Sequence, residues 1–353
     1  MNQSEKIKQK VISDEALFQS MMKCKKGVLY KSSVSYFYLH CMDEITKLAD
    51  ELESGTYTAR KPKKFEITSP KRRDIVSIAF RDRVFQRSLN DNVVYPMMTK
   101  SFIYDNAACQ IGKGTDFARE RFKTFLQRYY RKHGTEGYVL KIDIKKYYDS
   151  IDHEYAKKVF RSKLDDWSYE QVVKIIDTQY AREKGFSAGS QVIQILGISA
   201  MDCIDHAAKE ELHLKEYIRY QDDFVALEAD KGYFEYCKGV IEAKLSDIGF
   251  QCHPKKTQII PITEKIRFLG WDYRLTKTGK VIMSIAPEKV KFERRHLKKM
   301  VQKCKKGELP RSIVDEHFDC EMRYFAKGNS HKLIAKMKDY YKKLWEEDSN
   351  EQP

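Results

Sequence analysis

The spacing of apolar and polar positions divides the chain into elements. Residues 1–55 read as helical: SDEALFQSMMKC opens on Ser13, a residue suited to an N-cap, and YFYLHCMDEITKLADELESG ends at a glycine stop. TARKPKKFEITSPKRRD is proline-broken, basic and β-compatible, and reads as an exposed hairpin or arm. RDRVFQRSLNDNVVYPMM returns to helical spacing, and GTDFARERFKTFLQRYYRKHG is a basic amphipathic helix between two glycines. YVLKIDI is nearly continuous in apolar character, which marks a buried strand. Helices are predicted over 153–182 and in ILGISAMDCIDHAAKEEL, and EYIRYQDDFVAL reads as strand, turn, strand. YFEYCKGVIEAKLSDIGF reads as a helix ending at Gly249; KTQIIPI and IRFLGWDYRL read as short strands, and TKTGK as a hairpin turn before VIMSI. From Pro287 onward the chain is helical and lysine-rich. The order of elements points to an α+β fold, a sheet with helices on one face.

Two places in this pattern carry chemistry. Asp143 sits within the apolar strand Leu140-Lys141-Ile142-Asp143-Ile144, where a charge is costly unless it is paired or ligates a metal. Asp222 and Asp223 lie side by side at a turn between two strands, and such like charges repel unless something positive stands between them. Taken singly, Asp143 reads equally well as an acid facing solvent, and the Asp222-Asp223 pair reads more readily as two exposed acids on a hairpin turn. Together they offer three hard oxygen ligands on rigid strands, the kind magnesium prefers, with substrate phosphates completing its shell. Two such ions about 4 Å apart stabilise the attacking and leaving oxygens of an in-line phosphoryl displacement.

Charge narrows the partner. The chain has 353 residues and a net charge of +15, a balance that favours a polyanion, most often nucleic acid. At 41.6 kDa it is long enough for two or three packed subdomains. No apolar run has membrane-spanning length and MNQSEKIKQK is polar, so a cytoplasmic protein without a membrane partner is expected. The eight cysteines are scattered with no CxxC pair, which argues against structural zinc and against a disulfide framework.

Several blocks then fall in one family's order. Y-x-D-D within RYQDDFVAL, preceded by KIDIKKYYDSIDH, resembles the palm of a reverse transcriptase. PKRRDIVSIAFRDRVFQ and CQIGKGTDFA resemble its fingers blocks, GFQCHPKKTQ the motif with a lysine near the incoming nucleotide, and FLGWDY the primer grip. The resemblance spans roughly residues 50 to 345. It implies a right-hand polymerase: an N-terminal helical extension at 1–55, fingers at 56–136, a palm at 137–275 built on an antiparallel sheet backed by helices (with 183–200 a fingers/palm block), and a helical thumb and tail at 276–353.

Residue by residue, the resemblance implies that Asp143, Asp222 and Asp223 are catalytic and bind two Mg2+ ions, with Mn2+ a possible substitute, and that the Ile144 carbonyl completes one shell. Lys256 matches the proton donor to pyrophosphate; Lys255 takes that place if the register shifts by one. Lys71 and Arg73 fall where the fingers grip the triphosphate, and arginine suits bidentate phosphate binding. Tyr148 falls at the aromatic gate beneath the sugar, with core packing as its alternative role. Gly189 matches a glycine where backbone passes close to template and nucleotide. Lys63, Lys64, Arg121, Arg128, Arg131 and Lys132, with the thumb lysines, would contact nucleic acid, as would Gly270 and Trp271 of the primer grip. The implied partners are an RNA template, a DNA or RNA primer, dNTPs and, in some relatives, a small basic accessory protein.

The block FSAGSQVIQILG departs from the PQG form common in the family. Ala188 stands in place of the usual glutamine, and Gln194 fits the glutamine of the GxxxSQ pattern of diversity-generating retroelements, although Ile193 occupies its serine position. GKGTDFARERFKTFLQRYYRKHG and RYFAKGNSHKL also resemble that group. The expected activity is RNA-directed DNA synthesis. The alternatives are a phage-defence or abortive-infection enzyme with protein-primed or non-templated synthesis, and a catalytically silent RNA-binding scaffold.

Overall fold

Ser13 caps a helix as its position in the pattern predicts: its side chain accepts from the Ala16 N–H at 3.4 Å. In the computed structural model, which describes residues 3–68, 72–180, 183–187 and 189–346, the elements run α1 (Gln3–Ile12), α2 (Asp14–Cys24), α3 (Ser32–Leu39), α4 (Cys41–Glu53), β1 (Lys63–Ile67), β2 (Arg73–Ser77), α5 (Phe80–Leu89) and α6 (Tyr95–Thr99). They continue as α7 (Thr115–His133), β3 (Tyr138–Asp143), α8 (Tyr147–Ser150), α9 (His153–Arg161), α10 (Asp166–Gln179), α11 (Gln191–Ser199) and α12 (Asp202–His206). Next come β4 (Tyr217–Tyr220), β5 (Asp223–Glu228), α13 (Lys231–Asp247), β6 (Gln258–Pro261), β7 (Ile266–Phe268), β8 (Trp271–Leu275), β9 (Val281–Ile285), α14 (Pro287–Lys305), α15 (Arg311–Ala326) and α16 (His331–Glu346). π-Helical turns at Asn90–Val94 and Ala207–Glu211 follow α5 and α12.

The chain divides into two compact units, each of three segments: Met1–Gly114, Ile142–Phe224 and Glu235–Thr257 form one, and Thr115–Lys141, Val225–Phe234 and Gln258–Pro353 the other. The first unit has its helical core where α2 packs on α5, with Leu17, Met21, Val84, Phe85 and Leu89 all fully buried. The β1–β2 hairpin is antiparallel, Phe65 opposite Ile75, and β1 is exposed along most of its length, as the basic arm predicts. In the second unit, β7-β8-β9 form a meander, and Phe122 of α7 meets Phe268 and Tyr273 edge-on at 5.3 and 5.0 Å. Pro287 starts α14 at a position where its missing N–H costs nothing.

The four-stranded sheet has the order β4-β5-β3-β6, with β3 antiparallel to β6 and Leu140 opposite Ile259. The reading of YVLKIDI as a buried strand holds: Val139, Leu140 and Ile142 are at most 2% exposed.

Three predicted elements are corrected: ILGISAMDCIDHAAKEEL, expected as one helix, is broken at Ala200 and Met201 into α11 and α12. The helix expected over 153–182 is two helices, α9 and α10; Asp165 N-caps the second through the Ser168 N–H at 3.3 Å, and α10 ends at Gln179. IRFLGWDYRL is a hairpin, β7 and β8, reversed at Leu269 and Gly270, with φ of +47° and +80°. Such a pair of positive φ values is what a two-residue turn between twisted strands requires, and leucine pays sterically to adopt it.

Candidate active site

The acids are placed by strand ends. Asp143 closes β3, and its carbonyl accepts the His253 N–H at 2.7 Å while the Lys145 N–H bonds to Gln251 at 2.9 Å. These two bonds flank the antiparallel bridge of Ile144 with Cys252, so the Ile144 carbonyl itself faces away from that partner. The turn that follows is folded by bonds from the Lys256 and Thr257 N–H groups to the His253 carbonyl. It brings Lys256 Nζ to 3.1 Å from both carboxylate oxygens of Asp143. Of the two adjacent lysines, it is Lys256 that makes this contact.

Asp222 sits on the two-residue turn between β4 and β5, and Asp223 begins β5. Burial pushes the Asp222 carboxyl above the ordinary carboxylate range; its own backbone hydrogen bond opposes this, and the charge of Asp143 raises it further. Asp222 is therefore a half-buried carboxylate that feels the charge of Asp143.

Beneath the turn lies an ion pair that the sequence pattern did not single out. Arg219 and Asp205 are both wholly buried, and Arg219 donates from Nε and Nη2 to the two Asp205 oxygens at 2.7 and 2.5 Å. Its Nη1 donates to the Gln221 carbonyl at 3.1 Å, inside the acidic turn. Tyr217 adds a bond to Asp205 at 2.7 Å. The signal available was a lone arginine in the otherwise apolar-aromatic strand YIRY. Gln221 has φ +55° and donates to Cys109 Sγ at 3.5 Å; Cys109 has φ +50°, and Lys146 has φ +48°. Left-handed conformations at three non-glycine residues store strain near the acids, as functional sites commonly do.

Tyr148 follows in α8. Its hydroxyl is buried with no hydrogen-bond partner among the described residues, and burial raises its pKa. Gly189 makes its close approach to the hairpin: a Cβ there would lie 2.9 Å from the Val76 carbonyl. Gln194 is half-buried on α11. A cavity of about 540 Å³ is walled by Lys64, Ile75 and Val76 of the hairpin, by Lys146 and Asp149, and by Lys184 to Ser187. Lys71 and Ala188 lie outside the described residues, and for Arg73 only the backbone of β2 is described. Lys63 and Lys64 are exposed on β1, and Arg128, Arg131 and Lys132 are exposed on α7. Arg121 lies over the Phe125 ring at 4.6 Å.

In the second unit the expected primer-grip pair separates. Gly270 is exposed at the turn, whereas Trp271 is wholly buried against Tyr324 and Gly328. Its indole thus has no surface to offer a strand, which corrects its expected contact with nucleic acid. Aromatic bulk at a strand start is as easily core as contact surface, and only tertiary packing tells them apart.

Among the described residues, no group of three or more His, Cys, Asp or Glu side chains is placed to hold a metal ion, so Asp143, Asp222 and Asp223 do not converge as a three-acid set. The donors present are carboxylates and a turned-out carbonyl, with the Lys256 ammonium drawn onto one of them. That open, anionic oxygen set fits a divalent cation completed by substrate phosphates.

The model of the reverse transcriptase (RNA-dependent DNA polymerase) family matches residues 60–273, more than half of the chain. The chain belongs to the reverse transcriptase family. Its mixed helices and antiparallel sheets are those of that right-hand polymerase fold. Similar solved structures include apo telomerase from Candida tropicalis, with a TM-score of 0.46, 15% identity, and coverage of 68% of this chain and 52% of that one. Telomerase from Candida albicans in complex with a TWJ fragment of telomeric RNA has a TM-score of 0.49 and 13% identity, covering 85% of this chain and 62% of that one. The chain thus spans between about half and three-fifths of these chains' length. No curated protein sequence matches it. No described helix is long and apolar enough to cross a membrane.

Proposed function

We propose that the chain is an RNA-directed DNA polymerase that copies a primed RNA template into cDNA. The observation that carries this reading is the contact of Lys256 with both oxygens of Asp143, beside the raised carboxyl of Asp222, within a chain of the reverse transcriptase family. Two divalent cations, magnesium or manganese, held by Asp143, the Ile144 carbonyl, Asp222 and Asp223, would supply positive charge to the attacking 3′-oxygen and the departing pyrophosphate. Lys256 gives a proton to that pyrophosphate. The cavity walled by Lys64, Lys146 and Lys184 takes the incoming nucleotide, with Lys71 and Arg73 on its phosphates, Tyr148 beneath its sugar, and Gly189 and Gln194 beside it. Lys63, Arg121, Arg128, Arg131, Lys132 and the turn at Gly270 follow the template and primer backbones. The fingers, palm and thumb follow the boundaries given above.

Within the family, the reading is a diversity-generating retroelement enzyme, supported by GKGTDFARERFKTFLQRYYRKHG, RYFAKGNSHKL and Gln194. A template-repeat and variable-repeat pair beside its gene is the expected context, and its absence from the gene's neighbourhood contradicts this assignment.

Primer extension on homopolymer, heteropolymer and absent RNA tests the activity. Deoxynucleotide addition dictated by the heteropolymer supports copying. Equal addition without template contradicts it in favour of non-templated synthesis, and no addition on any of them contradicts it in favour of a scaffold.

A further inference from the structure

Gly197 lies inside α11, flanked by the buried Ile195, Leu196 and Ile198. A helix interior disfavours glycine, which loses more backbone freedom on folding than any other residue. Its backbone is in the ordinary range for L residues, so conformation does not demand it. What demands it is a side chain from elsewhere. A Cβ at Gly197 would stand 2.7 Å from the Tyr148 hydroxyl and 2.9 Å from Cε1 and Cζ of the same ring. Real Cβ atoms essentially never come so near, and ordinary contact begins at 3.4 Å. The carbonyl of Gly197 also accepts a hydrogen bond from the Tyr147 hydroxyl. Both tyrosines of KKYYD are therefore seated on one glycine, Tyr147 by a hydrogen bond and Tyr148 by direct contact. Among the described residues the Tyr148 hydroxyl has no hydrogen-bond partner, so packing against Gly197 sets how far its ring stands out from α11.

We propose that Gly197 is a specificity-determining residue: by giving Tyr148 its seat, it sets the depth of the sugar site and hence the discrimination between deoxynucleotides and ribonucleotides. Gly197 acts through Tyr148 and is a positioning residue. The proposal rests on the polymerase reading and on Tyr148 lying beneath the sugar. An alanine at 197 drives the ring outward by several tenths of an ångström, into the space the sugar occupies. The deoxynucleotide site then tightens, whereas Tyr148→Val removes the object that the alanine displaces.

The test is a double-mutant cycle on primed RNA with Gly197→Ala, Tyr148→Val and both together, measuring KM and kcat for one dNTP and the matching rNTP. The expected result is a several-fold rise in dNTP KM for Gly197→Ala, with a changed dNTP-to-rNTP ratio. In the Tyr148→Val background the same substitution is expected to leave both values unchanged. Far-UV circular dichroism of each variant reports folding, and α11 is expected to be no less stable with alanine. An unchanged KM and ratio in Gly197→Ala overturns the proposal, as does an equal effect in both backgrounds. Failure of the wild-type chain to incorporate dNTPs overturns the polymerase reading itself and is seen in the same experiment.

Discussion

Lys256 holds Asp143 through both carboxylate oxygens, each 3.1 Å from its ammonium. The lysine side chain is 55% exposed and the aspartate 20%, so the pair is easily opened. An ammonium on a metal-binding carboxylate competes with the metal. On the roles proposed for Asp143 and Lys256, Lys256→Gln is expected to bind magnesium more tightly while incorporation slows. Calorimetric titration of the metal into variant and wild type, without nucleotide, checks the first effect. Weaker binding by the variant contradicts it.

Asp222 gives a pH dependence. Its carboxyl is raised in the folded chain by burial, then by Asp143. The native state therefore holds its proton more firmly than the unfolded state, and stability falls as pH rises from the ordinary carboxylate value of 3.8 through the raised one. Without metal, Asp222→Asn is expected to melt higher than wild type at neutral pH and level with it in acid. A variant that melts lower at neutral pH, by differential scanning calorimetry in a metal-free buffer, contradicts the assignment.

The Arg219–Asp205 pair is wholly buried, so removing one partner strands the other's charge. Arg219→Met is expected to destabilise the chain by about 3–5 kcal/mol, the usual cost of breaking a buried pair. Arg219→Met with Asp205→Leu is expected to lose less. Chemical denaturation of wild type, both single variants and the double variant measures the difference, and additive losses would contradict the coupling.

RNA binding is expected to weaken steeply with salt, because neutralised phosphates release counterions. Replacing Arg128, Arg131 and Lys132 with alanine should flatten the log–log slope on single-stranded RNA by roughly 2 units, at about 0.7 per contact. Filter binding across a salt series reads the slope, and an unchanged one removes α7 from the interface.

How far the sequence carries is clear from particular residues. β3 was legible because a strand covered on both faces must be apolar throughout, and the acidic turn because aspartates interrupt two strands. The hairpin of β1 and β2 was legible from prolines and charge. The break between α9 and α10 was missed although Asp165, its N-cap, was in view; the apolar period on either side outweighed it. The β7–β8 turn was missed because Leu269 adopts a conformation that leucine rarely signals. Trp271, Arg219 and Gly197 owe their roles to partners far along the chain, and no local pattern announces such partners.

The central claim is that Asp143 and Asp222 are catalytic acids of a polymerase while other residues bind the RNA. Primer extension with Asp143→Asn and Asp222→Asn, run beside RNA binding by the same proteins, tests it most directly. The expected result is complete loss of deoxynucleotide incorporation with RNA affinity close to that of wild type. Incorporation retained by either variant would contradict it.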